Sequence, residues 1–354
     1  MMLWRHSTAI LAVSVAASAA GAQGAPNALH RLTMLDAKAF EAIERGEAVA
    51  ITLDAPDKTE IATLGIVRLE APRAFYVDRV KELTGFLVST SGSSSGSFSI
   101  PAKLEDVAAL SLDPSDVKLL EKCQPLKCDV KLPASEMERF RTELEMSHDP
   151  LPRADSLMRD WLVAYVNAYR ADSTEETVVY DDTKHPVRSS QVFRALAGES
   201  MPPGIDADPF SYMLSVPRAA RPPEVQSRIS WELDRLPGLK PVLEVVERAT
   251  YASSSRPDES WMTTKLLYAS HYFESQIDFL TVSDAPSSAG QGASSYLVVL
   301  RRQKFDDLPS GGLFNIRGKA VKKLREALRT TLANTRLAVA KALAESTAPP
   351  PHTP

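Results

Sequence analysis

The sequence predicts an α+β fold in which one antiparallel sheet packs on a long C-terminal helix and carries a helical insertion. Three observations lead to this prediction. Apolar and polar residues alternate over 225–234, as they do in a half-buried strand. Further strand-like stretches follow, separated by short turns rich in Pro, Gly and Ser, which is typical of an antiparallel meander. Apolar residues then recur at helical spacing from Val321 to Leu343.

The N-terminal part of the chain is predicted to alternate between helices and strands. A first helix begins at Asp36, a favourable N-cap residue, and ends at Gly46. Two strands follow at 47–54 and 60–70, separated by the turn-forming residues APDK. Pro72 then opens a second helix, because proline is well tolerated in the first helical turn.

The middle of the chain, residues 104–214, is predicted to be a helical insertion. Its helices have recognisable starting residues, such as Asp113 and Ser135. Residues 224–345 then supply the antiparallel strands and the C-terminal helix. We therefore predict that residues 23–346 form a single α+β domain, which is long enough to bury a sizeable core.

The two ends of the chain are predicted to lie outside this domain. Residues 1–22 have the features of a secretory signal: Arg5 in a basic start, a short apolar run, and small residues before a cleavage site after Ala22. A retained N-terminal anchor is the alternative. The signal predicts a mature protein in the periplasm or outside the cell. Residues 347–354, TAPPPHTP, are predicted to be disordered because of their proline content.

Charge and motif spacing exclude two classes of partner. The net charge is −4 at pH 7, so the chain lacks the basic footprint of a nucleic-acid-binding protein. A nucleotide-binding loop is excluded as well, because Gly312 and Gly318 have the wrong spacing and Ala320 stands where a hydroxyl is required. We therefore predict no nucleic-acid partner and no cofactor.

The two cysteines of the chain, Cys123 and Cys128, form a C-x4-C pair. In an oxidising compartment, such a close pair predicts a local disulfide. A zinc site would need further ligands at suitable positions, and a redox-active pair usually has the spacing C-x-x-C. A disulfide that closes so short a loop is expected to stabilise the fold by about 2 kcal/mol.

The stretch TTKLLYASHYFESQIDFLTV, residues 263–282, can be interpreted as a helix or as a strand. A helix would place His271 and Glu274 on one face, as a metal or acid–base pair. The many Thr, Tyr, Phe, Ile and Val residues favour a strand. We predict one long strand with a bulge near Ser270, in which His271 and Glu274 point to opposite faces. This prediction assigns no metal ligand and places His271 in the interior beside Phe273.

Two further motifs contain residues typical of chemical sites. Gly92–Gly96 matches the nucleophile-elbow pattern G-x-S-x-G, but the residues after it are strand-like, and the elbow requires a helix there. Asp181, Asp182 and His185 lie close together in a predicted loop and provide groups that bind divalent cations. An exposed acidic loop is the alternative. We assign no catalytic residue and no metal site.

The order of the predicted elements resembles that of the START-like, helix-grip superfamily. The stretch EIATLGIVRLEAPRAFYVDRV is similar to that superfamily's strand followed by a Pro-started helix. The stretch LFNIRGKAVKKLREALRTTLANT is similar to its closing helix. The resemblance covers residues 47–83 and 225–344, and the insertion is longer than that superfamily's usual connection. It implies a sheet that wraps the last helix and encloses a cavity for a lipid or another apolar molecule.

The resemblance also implies that inward side chains of the late strands line this cavity. Such sites are mostly apolar with few polar anchors, and Arg228 or His271 is expected to be an anchor. The alternative is that these side chains fill a solid core. The predicted lining residues are Arg228, Ile229, Trp231, Leu233, His271, Phe273, Ile277, Phe279 and Leu297.

The leading functional prediction is a soluble exported protein that binds an apolar ligand, such as a lipid, and is not an enzyme. Two alternatives stay open. One is an exported hydrolytic or metal-assisted enzyme that uses His271 or the group around Asp181. The other is a structural or interaction protein with a filled core.

The last helix is basic and fits contact with an anionic membrane surface. The alternative is that its basic residues form a solvated face. Its basic residues are Arg317, Lys319, Lys322, Lys323, Arg325 and Arg329.

Overall fold

The computed structural model describes a large part of the chain between residues 35 and 347. The described residues are 35–82, 87, 94–171, 178–198, 225–235, 239–252, 257–286, 292–308 and 315–347. The predicted signal peptide and the proline-rich residues 348–354 lie outside them, as does part of the Gly92–Gly96 motif.

Helices and strands occur in the predicted order, except that a short pair of strands lies within the predicted helical insertion. The helices are α1 (Ala37–Glu44), α2 (Arg73–Glu82), α3 (Pro114–Leu120), α4 (Ala134–Glu145), α5 (Pro150–Ala171), α6 (Ser189–Gly198) and α7 (Ile316–Thr347). The strands are β1 (Val49–Leu53), β2 (Glu60–Leu69), β3 (Ser94–Ser97), β4 (Val179–Tyr180), β5 (Val187–Arg188), β6 (Gln226–Asp234), β7 (Val242–Ala252), β8 (Glu259–Ala269), β9 (Phe273–Asp284) and β10 (Ser295–Phe305).

Eight of these strands form one antiparallel sheet in the order β1-β2-β10-β9-β8-β7-β6-β3. Strands β6 to β10 are neighbours in chain order, as expected for a meander. The early strand β2 joins them by pairing with the last strand, β10, over ten residues from Ser295 opposite Leu69 to Lys304 opposite Glu60. The short strands β4 and β5 form a separate hairpin.

The C-terminal helix α7 packs on one face of this sheet, over β1 and β2. Gly65 of β2 permits the close approach, because a Cβ atom at this position would lie 2.6 Å from Leu332 Cδ1 and 2.9 Å from Leu328 Cδ2. Leu328 and Leu332 are buried there in an apolar cluster with Val67 and Val299. This arrangement confirms the predicted fold class. We call this face of the sheet the helix face.

The described helices of the predicted insertion cover the opposite face of the sheet. Trp161 of α5 packs edge-to-face on Tyr268 of β8, with ring centroids 4.7 Å apart. The Tyr165 hydroxyl donates a 2.9 Å hydrogen bond to the Leu267 carbonyl. Helix α6 adds Phe193 to a second apolar cluster over β9 and β10. Helices therefore lie on both faces of the sheet.

Several predicted helix and loop features are confirmed in detail. The Asp36 carboxylate accepts a 2.7 Å hydrogen bond from Ala39 N, as an N-cap does. Gly46 ends α1 with φ = +82°, a conformation that favours glycine. Cys123 and Cys128 are joined, with 4.7 Å between their Cα atoms. One start is corrected: α4 begins at Ala134 after Pro133, and not after Ser135.

The prediction of a single long strand over 263–282 is wrong, although the choice of strand over helix is correct. Strand β8 ends at Ala269 and β9 begins at Phe273, so a tight turn replaces the predicted bulge. Ser270 holds this turn by exchanging two 2.9 Å hydrogen bonds with the backbone of Leu243. Tyr272 adopts φ = +63°, which local sequence patterns do not reveal for a tyrosine.

Among the helices in the described ranges, none has both the length and the apolar composition that crossing a membrane would require.

Candidate functional site: a polar row on the helix face

Six polar residues from six adjacent strands form one transverse row on the helix face. The strand register places them side by side, and Thr63 shares the face of Gly65 because the two are separated by two positions along β2. We call this set the polar row. Its members, from β2 to β6, are Thr63, Arg301, Asp278, Thr264, Arg248 and Arg228.

The polar row lies between two apolar clusters. On one side, Val299, Leu280 and Met262 occupy the next row and belong to the cluster that includes residues of α2 and α7. On the other side, Leu266 and Val246 belong to a cluster that contacts the start of α7. Charged groups in such surroundings lower stability unless they are paired and hydrogen-bonded.

The centre of the row is a two-pronged ion pair between Arg301 and Asp278. Arg301 Nε lies 2.9 Å from Asp278 Oδ1, and Arg301 Nη2 lies 2.7 Å from Asp278 Oδ2. The Asp278 side chain is buried, whereas that of Arg301 is 27% exposed. Burial alone disfavours the guanidinium, but the Asp278 carboxylate outweighs this and holds the pKa of Arg301 above its usual value. Arg301 is therefore a fixed cation with one accessible side.

Two buried glutamines extend this ion pair. Gln276 Nε2 lies 3.4 Å from Asp278 Oδ1, and Gln303 Nε2 donates a 2.7 Å hydrogen bond to Gln276 Oε1. Within the described residues, Gln303 Oε1 and the neighbouring Thr63 Oγ1 are buried without a hydrogen-bond partner. A buried oxygen in this state lowers stability by about 1–3 kcal/mol. These two oxygens are therefore unpaired polar atoms beside the central ion pair.

The β6 end of the row carries two arginines on directly opposite positions. Arg248 pairs with the Glu232 carboxylate and donates to the Ser230 hydroxyl. Arg228 donates to the Val80 carbonyl at the end of α2, over 3.3 Å. Burial, followed by the charge of Arg248, lowers the pKa of Arg228. Like charges opposite one another on a sheet are unfavourable, so this end of the row attracts anionic groups.

Glu244 lies beside the row, opposite Glu232 in the register of β6 and β7. Burial, reinforced by the Asp234 and Glu232 carboxylates, raises the pKa of Glu244 to about 8. Glu244 is half-buried, and it shares a face with Val246 and Arg248 because these positions are two apart along β7. At neutral pH, Glu244 is thus mainly a neutral hydrogen-bond donor, and it accepts a proton or releases one in the physiological range.

The nine predicted lining residues do not come together in one place. Arg228 belongs to the polar row, and Leu297 and Phe273 belong to the apolar clusters on either side of it. Ile229, Trp231 and Leu233 face the helical layer and form a solid core with it. The remaining strand residues, Ile277 and Phe279, pack beneath α1 and α6. For these five residues, the core-filling alternative is the one that the structure shows.

His271 lies in the turn between β8 and β9 and not on the sheet face. Its ring is buried, with Nδ1 2.8 Å from the Asp129 carbonyl oxygen and Nε2 3.2 Å from Asp116 Oδ1. Asp116 belongs to α3, so this contact joins the helical layer to the sheet. His271 is therefore placed to hold two layers together, and it does not line a ligand site.

The acidic group at 181–185 has structural partners as well. Asp181 Oδ2 accepts a 2.9 Å hydrogen bond from Ala134 N at the start of α4. Asp182 Oδ2 lies 3.6 Å from Lys131 Nζ, which also lies 2.5 Å from Asp306 Oδ1. His185 is exposed. Within the described ranges, no three His, Cys, Asp or Glu residues are placed to hold a metal ion together.

Two surface clefts lie away from the polar row. One, of about 300 Å³, is bordered by Gly46, Arg68 and Ser294. Its arginine is already bonded to Glu44 and to the Ser294 hydroxyl. The other, of about 390 Å³, lies between α2 and the end of α7, beside Phe75 and Ala342. The first cleft is also lined by the charged residues Glu44, Arg45 and Glu70, and neither cleft includes a residue of the polar row.

Sequence reasoning missed Arg301, Asp278, Arg248 and Glu244. A signal was present in β9, because Gln276 and Asp278 alternate with the apolar residues Ile277 and Phe279. Alternation of this kind is usually taken to mark a solvent-exposed face. In this sheet, α7 and α2 cover parts of the same face.

Comparison with known proteins adds no family to these observations. No protein-family model matches the sequence, and a search of curated proteins finds no significant match.

Proposed function

We propose that this chain is an exported binding protein for an amphipathic ligand, such as a lipid, held on the helix face of the sheet. The polar row carries the proposal, because six polar residues from six strands share a face that two helices partly cover. In a core that has no binding role, buried charged residues of this kind would lower the stability of the fold. The polar row matches the usual composition of a ligand site, in which a few polar groups fix the orientation within apolar surroundings.

The neighbours of the polar row indicate the ligand's chemistry. Arg228 and Arg248 favour a group that accepts hydrogen bonds or carries negative charge. Protonated Glu244 offers a further donor, and Gln303 Oε1 accepts a hydrogen bond from the ligand. The adjoining apolar clusters then contact the ligand's apolar part. A wholly apolar ligand fits less well than the sequence suggests, because it would leave Gln303 Oε1 buried without a partner.

The resemblance to the START-like, helix-grip superfamily becomes part of this proposal. Its support is the antiparallel sheet packed on the C-terminal helix α7, with an early strand paired to the last strand of the meander. In a helix-grip protein, the space between sheet and final helix is the ligand site. The polar row occupies that face here.

The test is native mass spectrometry with organic extraction of the full chain, purified from a host that exports it. We expect a stoichiometric adduct whose extract contains an amphipathic molecule. The double variant Arg301→Gln/Asp278→Asn removes both central charges and leaves no unpaired charge behind, so the adduct should disappear while the fold is retained. A matched control, Arg139→Gln/Asp160→Asn, removes an exposed ion pair on α4 and α5 and should keep the adduct. A clean mass for the unmodified chain, unchanged when lipid is added, would contradict the proposal.

A second candidate function is an exported hydrolytic enzyme, and the raised pKa of Glu244 favours it. A carboxyl group that titrates near neutral pH is suited to general acid–base catalysis. The variant Glu244→Gln separates the two functions. An enzyme should lose turnover with little change in substrate affinity, whereas a binding protein should change only in affinity. A structural or interaction protein with a filled core should show neither an adduct nor turnover.

A further inference from the structure

The exposed side of the first half of α7 is strongly basic. Lys319, Lys322, Lys323, Arg325 and Arg329 are all exposed, and the 100° advance per residue places them on one side of the helix. Apolar residues of the same turns, including Leu328 and Leu332, point to the sheet. We call these five basic residues the basic face. The chain as a whole has a net charge of −4, so this positive charge is local.

One exposed carboxylate, Glu326, lies among the residues of the basic face. Arg329 pairs with Glu326, 3.2 Å apart between Nε and Oε2. Within the described residues, the side chains of Lys319, Lys322, Lys323 and Arg325 make no ion pair or hydrogen bond. Arg317 differs, because it donates to the backbone carbonyls of Lys58 and Glu60 over 2.8 and 3.0 Å and so serves the fold. The Glu326 carboxylate also interacts electrostatically with Arg325 and Lys322, so five basic residues and one carboxylate leave a local excess of four positive charges.

We propose that the basic face docks the protein on an anionic lipid bilayer. A bilayer presents a flat, diffuse negative charge. Lysines spaced along one side of a helix can bind such a surface without being held at exact positions. Ile316 begins the helix and is 48% exposed, so an apolar side chain adjoins the basic face at the same end. Lysine near an anionic membrane surface strengthens binding about fivefold per residue. The inference rests on α7 and stands or fails independently of the ligand proposal.

The experiment is flotation of the full chain with two kinds of vesicle. One kind is phosphatidylcholine alone, and the other contains about one-third phosphatidylglycerol, which gives an anionic surface. We expect binding only to the anionic vesicles, and its loss when salt is raised from about 0.05 M to about 0.5 M, because the Debye length shortens. Equal binding to both vesicles, or none to either, would overturn the proposal.

Two triple variants assign the effect to α7. Lys319→Gln/Lys322→Gln/Lys323→Gln should weaken binding to anionic vesicles by about 100-fold, as three fivefold losses multiply. The control Lys118→Gln/Lys122→Gln/Lys127→Gln makes the same change in net charge with exposed lysines of the helical layer, and it should stay within about twofold of the unmodified chain. Equal losses in both variants, or binding of the unmodified chain to duplex DNA as tight as to vesicles, would show general attraction to polyanions and overturn the docking proposal.

Discussion

His271 and Asp116 face one another in the interior, with 3.2 Å between Nε2 and Oδ1. Nδ1 of the same ring lies 2.8 Å from the Asp129 carbonyl oxygen. Because a carbonyl oxygen only accepts, Nδ1 must donate its proton there. Nε2 then faces the Asp116 carboxylate oxygen. This buried contact joins α3 to the turn between β8 and β9.

Replacing one member of this pair should destabilise the protein strongly. His271→Ala leaves the Asp116 carboxylate buried without its partner, which should lower the free energy of unfolding by about 3–5 kcal/mol. Urea unfolding measures the change. The double variant His271→Gln/Asp116→Asn should lose clearly less than the sum of its two single variants, because neither side retains a charge. Additive losses would show that the two residues do not interact.

Glu244 should make stability depend on pH in a definite direction. The pKa of Glu244 is raised in the folded protein to about 8, so between pH 4.5 and 8 the folded state holds a proton that the unfolded state releases. Protonated Glu244 therefore contributes its full stabilisation at pH values below its pKa in the unfolded state. This contribution is lost as the pH rises through 8. Glu244→Gln should remove this slope in unfolding measurements from pH 5 to 9. The exposed control Glu41→Gln should keep it, and an unchanged slope in the Glu244 variant would refute the assignment.

A side chain at Gly65 should push α7 away from the sheet. The added Cβ atom of Gly65→Ala would meet Leu332 Cδ1 at 2.6 Å, so we expect a loss of about 1–3 kcal/mol in thermal unfolding. Adding Leu332→Ala to Gly65→Ala should reduce the destabilisation caused by the alanine at position 65, because the side chain that it meets is shortened. Gly198→Ala is the matched control, because nothing lies within 4 Å of the added atom. If both glycine variants behave alike, α7 does not pack closely on β2.

The disulfide should stabilise the protein modestly. Cys123→Ser/Cys128→Ser should lower the free energy of unfolding by about 2 kcal/mol, as the small loop predicts. Thermal unfolding with and without reductant measures this, since the unmodified chain should lose stability in reductant and the variant should not. If the double variant also loses stability in reductant, the effect of reductant does not come from this disulfide.

Local features were predictable because their causes lie close together in the sequence. The cap at Asp36, the end of α1 at Gly46 and the alternation of β6 each depend on neighbouring residues. The stretch 263–282 shows the limit of such reasoning. Its composition favours strands, but the turn at 270–272 depends on Ser270 meeting Leu243 of another strand. No pattern within the stretch encodes that contact.

The candidate site was predictable only in part. Alternation indicates which residues share one face of a strand and puts Arg228 and Ile229 on opposite faces, although the predicted lining contains both. It does not indicate which face meets α7 and which meets the helical layer. The sequence therefore predicts Trp231 in a cavity, although it lies in the core shared with the helical layer. It does not indicate Arg301, which forms the centre of the polar row.

The sequence by itself determined the α+β class, the order of the elements, the disulfide pair and the long C-terminal helix, because local periodicity and turn residues specify these. Tertiary structure decided which face of the sheet α7 covers and which side chains the strand register aligns. The physical reason is that the polar row consists of residues from six strands whose members lie up to about 240 positions apart, from Thr63 to Arg301. Only the pairing of β2 with β10, and of each later strand with its neighbour, brings their charges together.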